Sequence, residues 1–170
     1  MKKTKKLKNQ GFSLIELIVV IAIIAILTSI FTMGVSVLTN KAVQQCAKKI
    51  QVGLESIRTK TMGKESASIS FYIDNKGNVY LQETINGVPN SAVQIGTAET
   101  KVSYVKGTEP TATPTYLTTT ALVIQFDRSS GSMKPQGDGK YVSKFIVENS
   151  NGNKVLHVKI DKLTGKVSVE

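Results

Sequence analysis

Residues 12–38, FSLIELIVVIAIIAILTSIFTMGVSVL, hold one ionisable side chain, Glu16, in 27 positions. About 20 apolar residues in a helix cross the hydrocarbon core of a bilayer, so this run is long enough to span one. It follows MKKTKKLKNQG, which has five lysines and no acid. The positive-inside rule keeps such an end in the cytoplasm and sends residues beyond about 38 outward. The charge is segregated in the same way. Of a net +10, residues 1–11 supply +5, residues 12–38 supply −1, residues 39–62 supply +4 and residues 63–170 only +2. A nearly balanced last stretch of more than a hundred residues argues against a globular domain built to bind nucleic acid.

Three readings compete for the apolar run. A secretory signal peptide has an apolar region of about 7–15 residues that ends in an A-x-A-like site. Here Leu17 to Leu27 is already eleven apolar residues, the apolar character continues past Met33, and the A-x-A pattern is missing. A second reading is an uncleaved anchor for an unrelated outer domain. The third depends on Gly11 and Glu16. A carboxylate well inside a membrane helix costs about 2.5–3.5 kcal/mol on insertion scales and usually has a functional partner. Near the membrane edge, or in a first helical turn where the dipole favours an acid, Glu16 needs no such role.

Gly11-Phe12-Ser13-Leu14-Ile15-Glu16, between a short lysine-rich leader and a long apolar run, resembles the class III leader of type IV prepilins. That family comprises pilins and the pseudopilins of type II secretion and DNA uptake. The resemblance implies cleavage after Gly11 by a prepilin peptidase and N-methylation of Phe12. It implies an apolar helix retained first as a membrane anchor and then as filament core. It also implies a role for Glu16 in assembly. The Phe12 amine of one subunit is a cation in apolar surroundings, and Glu16 of a neighbour can offset much of the cost of burying it.

After the apolar run, Ala42, Val43, Cys46, Ala47, Ile50, Leu54 and Ile57 recur at spacings of three and four, the mark of an amphipathic helix. Lys48, Lys49, Glu55 and Arg58 fit the opposite face, and no proline occurs before Pro89. One helix from about 12 to 60 would be roughly 70 Å long. Many type IV pilins carry a proline within the apolar helix; here Gly34 is the nearest weak point. Cys46 lies on the apolar stripe and reads as a buried small residue rather than a reactive thiol.

From Ser66 the pattern turns to short strands. Ile69, Phe71 and Ile73 alternate with polar neighbours, and Asp74-Asn75-Lys76-Gly77-Asn78 separates them from Val79-Tyr80-Leu81-Gln82, as in a hairpin. Asn86-Gly87-Val88-Pro89-Asn90 reads as a turn, and Val93–Ile95 and Lys101–Val105 as further strands. GTEPTATPTYLTTT, with Pro110 and Pro114, reads as a surface loop or, from its threonines, as an O-glycosylated or partner-contacting one. Leu122–Phe126, Tyr141–Glu148, Lys154–Asp161 and Lys166–Val169 are strands separated by Asp127-Arg128-Ser129-Ser130-Gly131, a Pro/Gly loop at 134–140, Asn149–Asn153 and Lys162-Leu163-Thr164-Gly165. Seven or eight strands without intervening helices predict antiparallel sheet, covered by the second half of the helix. FDRSSG and the terminal IDKLTGKVSVE resemble the outer domains of H-type pseudopilins and T-type minor pilins, with Gly165-Lys166-Val167 the matching piece. The two C-terminal cysteines with which many pilins close a loop are absent.

Signs of catalysis or metal binding are few. Gly137-Asp138-Gly139-Lys140 lacks the length of a phosphate loop and the Ser/Thr after its lysine. Residues 74–78 lack the spacing of a calcium hand, His157 stands alone in a strand, and one cysteine cannot form an internal disulfide or a thiolate-rich metal site. The expectation is an α+β protein without enzymatic activity or cofactor. It has a cleaved leader (1–11), a transmembrane and filament-core helix (12–38), an amphipathic continuation (39–62) and an antiparallel β outer domain (63–170). The family resemblance implies a single-pass plasma-membrane protein with a cytoplasmic N-terminus, later incorporated into a pilus or pseudopilus as a minor subunit. Its implied partners are the prepilin peptidase/N-methyltransferase, other pilin subunits, the inner-membrane assembly platform and membrane lipid. Nucleic acid would rest on Lys154, Lys159, Lys162 and Lys166, which equally form a solvated strand edge. The alternative from another class is a monomeric membrane-anchored extracellular binding module that keeps its N-terminus.

Overall fold

A 49-residue helix, α1 (Leu14–Met62), is the first element. The computed structural model describes residues 12–107, 112–152 and 154–170, with side chains at 29–39 excepted. The leader with Gly11, the Pro110 segment of the threonine-rich loop and Asn153 lie outside the described residues. The chain divides into two units, Met1–Val37 and Leu38–Glu170. Helix α1 ends in a Schellman-type cap. Lys64, at φ 73°, takes the left-handed position usually given to glycine. The Glu65 N–H bonds the Lys60 carbonyl (3.2 Å) and the Lys64 N–H bonds the Thr61 carbonyl (3.1 Å). Arg128 donates to the Lys64 carbonyl (2.8 Å), which ties this end to a loop of the outer domain.

Among the described residues, the second unit contains the amphipathic half of α1 and ten strands. These are β1 (Ala67–Ile73), β2 (Val79–Ile85), β3 (Val88–Pro89), β4 (Val93–Gly96), β5 (Thr100–Lys106), β6 (Thr115–Tyr116), β7 (Leu122–Gln125), β8 (Val142–Asn149), β9 (Val155–Ile160) and β10 (Val167–Val169). They form two five-stranded sheets. The first has the order β3-β2-β1-β7, with β4 also on β2; the second has the order β10-β9-β8-β5-β6. Every pairing is antiparallel.

The sequence alternation finds seven or eight of these strands; the extra ones include β3 and β6. Both have only two residues, too few to show a period. Pro89 is tolerated in β3 because that strand is an edge and needs no N–H on its outer side.

One core unites the helix and both sheets. Val43, Cys46, Ala47, Ile50, Leu54 and Ile57 of α1 are fully buried, as the stripe predicts. Phe71 of β1 meets Phe145 of β8 with ring centroids 5.0 Å apart and planes tilted by 57°, a favoured aromatic geometry that links the inner faces of the two sheets. Gly53 lets the helix approach the first sheet closely. A Cβ there would lie 2.6 Å from Leu81 Cδ1 and 2.9 Å from Ile69 Cδ1.

Candidate functional site

The first candidate is the start of α1. Phe12 and Ser13 are non-helical and exposed, and the first helical bond runs from the Leu17 N–H to the Ser13 carbonyl (3.2 Å). Ser13 is the N-cap. Its Oγ accepts from the Glu16 N–H (3.3 Å), while Glu16 Oε2 accepts from the Ser13 N–H (3.1 Å). This reciprocal pair is a capping box, which satisfies two of the unpaired donors at a helix start. Glu16 therefore holds a local partner in the isolated chain, and its charge also faces the positive end of the helix dipole. The Ser-x-x-Glu spacing that builds this box is visible in the sequence.

Beyond this cap the helix is apolar on every side. Leu14, Ile15, Leu17, Ile18, Val19, Val20, Ile21, Ile23, Ile24, Ile26 and Leu27 are all about half exposed or more. The Thr28 hydroxyl folds back onto the Ile24 and Ala25 carbonyls (2.9 and 3.0 Å), which hides its polarity. A helix that is apolar all round belongs inside other apolar matter, whether protein or lipid. Among the described residues no helix is long and apolar enough to cross a membrane; the described side chains of the run stop at Thr28.

The second candidate is a pair of matching turns in the outer domain. Asp127-Arg128-Ser129-Ser130-Gly131 and Asp161-Lys162-Leu163-Thr164-Gly165 share one construction. Asp127 Oδ1 accepts from the N–H and hydroxyl groups of Ser129 and Ser130 (2.6–3.1 Å). Asp161 Oδ1 accepts from the N–H groups of Leu163 and Thr164 and from the Thr164 hydroxyl (2.7–3.0 Å). Each turn closes on a left-handed glycine whose N–H bonds the carbonyl of its aspartate. Arg58 of α1 joins the two turns, with Nε donating to the Gly131 carbonyl (3.2 Å) and the Thr164 carbonyl (2.8 Å). Each segment reads as a turn from its own residues, and only the fold brings the two together.

These bonds favour the ionised carboxylates. Asp127 is held well below the usual range, first by the Ser129 hydroxyl and then by backbone N–H groups. Asp161 is lowered chiefly by the Thr164 N–H and hydroxyl. Asp74 and Asp138, also in turns, are lowered by the Asn78 side chain and the Lys140 N–H respectively. Because the folded values are depressed, the unfolded chain binds more protons as the solution is acidified. The stabilisation is complete above the ordinary aspartate value of about 3.9 and is lost as pH falls through the depressed values. We expect unfolding titrations between about pH 5 and pH 2 to show falling stability. Asp127→Asn with Asp161→Asn should make that slope shallower.

Lys159 and Lys166 line a cavity of about 460 Å³ with Lys144 and Asp161, whereas Lys154 and Lys162 are not in its wall. Lys159 is paired with Glu170 (2.7 Å). Cys46 is fully buried, and burial pushes its thiol up to about 12, which leaves it protonated and unreactive at neutral pH.

The prokaryotic N-terminal methylation motif matches residues 6–32, which include the capping box and the exposed apolar turns. The match covers the leader and the start of α1 and supports the likeness of this segment to type IV prepilins. Such a leader implies processing by a prepilin peptidase and assembly with other pilins. No curated protein and no solved structure matches the chain.

Proposed function

We propose that this chain is a minor pilin or pseudopilin that is cut between Gly11 and Phe12, methylated on Phe12 and polymerised through its N-terminal helix. The supporting observation is the junction at residues 12–28. The matched methylation motif includes a capped helix start whose apolar side chains are uncovered on every side. Lipid would cover residues 12–38 in the membrane, and neighbouring helices would cover them in the filament. In this reading Glu16 exchanges its bond with the Ser13 N–H for the Phe12 amine of a neighbour. Residues 63–170 form the extracytoplasmic head. Minor rather than bulk status is favoured by the paired Asp-to-Gly turns, which contain the segments that resemble H-type and T-type heads. Nucleic-acid contact in a DNA-uptake filament would rest on Lys159 and Lys166, and Glu170 already engages Lys159.

The test is the N-terminus and intact mass of the native protein, measured separately in membranes and in filaments sheared from cells. A methylated Phe12 start in the sheared fraction, at low abundance, is the expected result. A Met1 start confined to membranes would overturn the proposal and leave an anchored binding module.

A further inference from the structure

The outer face of the first sheet differs chemically from the rest of the chain. Alternate residues of β1, β2 and β7 point away from the core. The register sets Tyr72 beside Tyr80, Ser70 between Gln82 and Val123, and Ser68 between Thr84 and Gln125. None of these positions carries an acid or base, in a chain of which 20% is charged. The two tyrosine rings are nearly parallel, with centroids 5.7 Å apart and planes 15° from each other.

Val123 also belongs to the wall of a cavity of about 390 Å³ lined by Tyr104, Tyr116, Thr118, Thr120 and Gln136. Gln136 donates to the Val123 carbonyl (2.9 Å), which fixes the cavity against the edge of the face. The cation in this cavity, Lys106, is paired with Asp138 (3.2 Å) and lies 5.9 Å from the centre of the Tyr104 ring.

We propose that this face and the adjoining cavity bind a neutral polysaccharide chain. Amides and hydroxyls both donate and accept, which matches the hydroxyl groups of a sugar. Tyrosine rings offer flat apolar surface with a polar tip, which matches the C–H face of a pyranose. Ligand sites commonly combine aromatic walls with a few placed polar groups, as this cavity does. The uncharged sheet face, beside a cavity whose Lys106 is paired with Asp138 and whose Tyr116 hydroxyl is bonded to Glu148, decides against the main competitor. Single-stranded nucleic acid also stacks on aromatic platforms, but its phosphates require a cationic groove. A protein partner is disfavoured because serine is depleted from interface cores, which are more apolar than this face.

The experiment titrates the full chain in detergent micelles with maltohexaose, cellohexaose and the hexamer of β-1,4-linked N-acetylglucosamine, with an oligothymidylate as the charged comparison. The expected result is saturable binding of at least one neutral hexamer, with Kd between about 10 μM and 1 mM. That affinity should not change between about 50 and 200 mM salt. Tyr72→Ala and Tyr80→Ala should each weaken it about tenfold, while Tyr80→Phe retains it. Val123→Glu leaves the core intact and places bulk and charge where face and cavity join, so it tests the site if a tyrosine variant fails to fold. It should weaken binding to a similar degree. The proposal is overturned if none of the three hexamers binds, if binding weakens with salt or prefers the oligothymidylate, or if folded tyrosine and Val123 variants bind as wild type does. Cross-linking that shows a second copy of the chain seated on Tyr72 and Tyr80 would also overturn it.

Discussion

Gly165→Ala should lower the stability of the outer domain by about 3 kcal/mol or more, a drop of roughly 10 °C in Tm. Two penalties combine. Gly165 has φ 66°, where an L side chain is strained. A Cβ there would also run into the Gly131 carbonyl oxygen and lie 3.0 Å from both Cδ and Nε of Arg58. The oxygen belongs to backbone that Arg58 holds, so it cannot swing aside as the tip of a side chain would. Gly139→Ala provides the control. Gly139 has a similar φ, 74°, but nothing lies within 4 Å of the position a Cβ would take. It should cost only about 1 kcal/mol. Denaturant unfolding of the two variants beside wild type measures the difference. Equal losses would show that the twin turns do not pack as tightly as described.

Glu16→Gln and Glu16→Ala should both reduce the yield of sheared filament about a hundredfold or more, with cleavage at Gly11 unaffected. The two substitutions separate two roles of one carboxylate. Glutamine at this position can still bond back to the Ser13 N–H, so the capping box survives, but the charge is gone. Alanine removes both, and loss of a capping interaction alone costs about 1 kcal/mol. If filament yield follows charge, Gln and Ala fail alike. If Gln assembles like wild type and only Ala fails, Glu16 serves the start of the helix, and the pairing with the Phe12 amine is wrong. Immunoblots of processed and unprocessed protein beside the sheared fraction supply both readings.

What the sequence reveals depends on how local the cause is. The stripe from Val43 to Ile57 is legible because helix periodicity is a property of neighbouring residues, and each of those side chains is fully buried. The hairpins around Asp74–Asn78 and Asn149 are legible because Asp, Asn and Gly have their own turn chemistry. The division of the strands into two sheets is not legible, because nothing near Phe71 or Phe145 specifies that their rings meet across 74 residues of chain. The seam at Arg58 is hidden for the same reason. Its guanidinium meets carbonyls 73 and 106 residues away, and carbonyls leave no trace in side-chain patterns. At the candidate site the leader and Glu16 stand out by composition. The bond from Glu16 to Ser13 was within reach of the Ser-x-x-Glu spacing.

The distance from Arg58 to Thr164 also sets a clock. A ribosome adding about 5–20 residues per second needs roughly 5–20 s to make the 106 residues between them. Throughout that interval the stripe from Val43 to Ile57 has been synthesised, but β10 and the second turn that complete the head have not. A nascent chain of this kind is a substrate for whatever shields apolar helices outside the ribosome. The residues of β10 and the second turn, rather than the helix made first, decide when the stripe from Val43 to Ile57 no longer needs that protection.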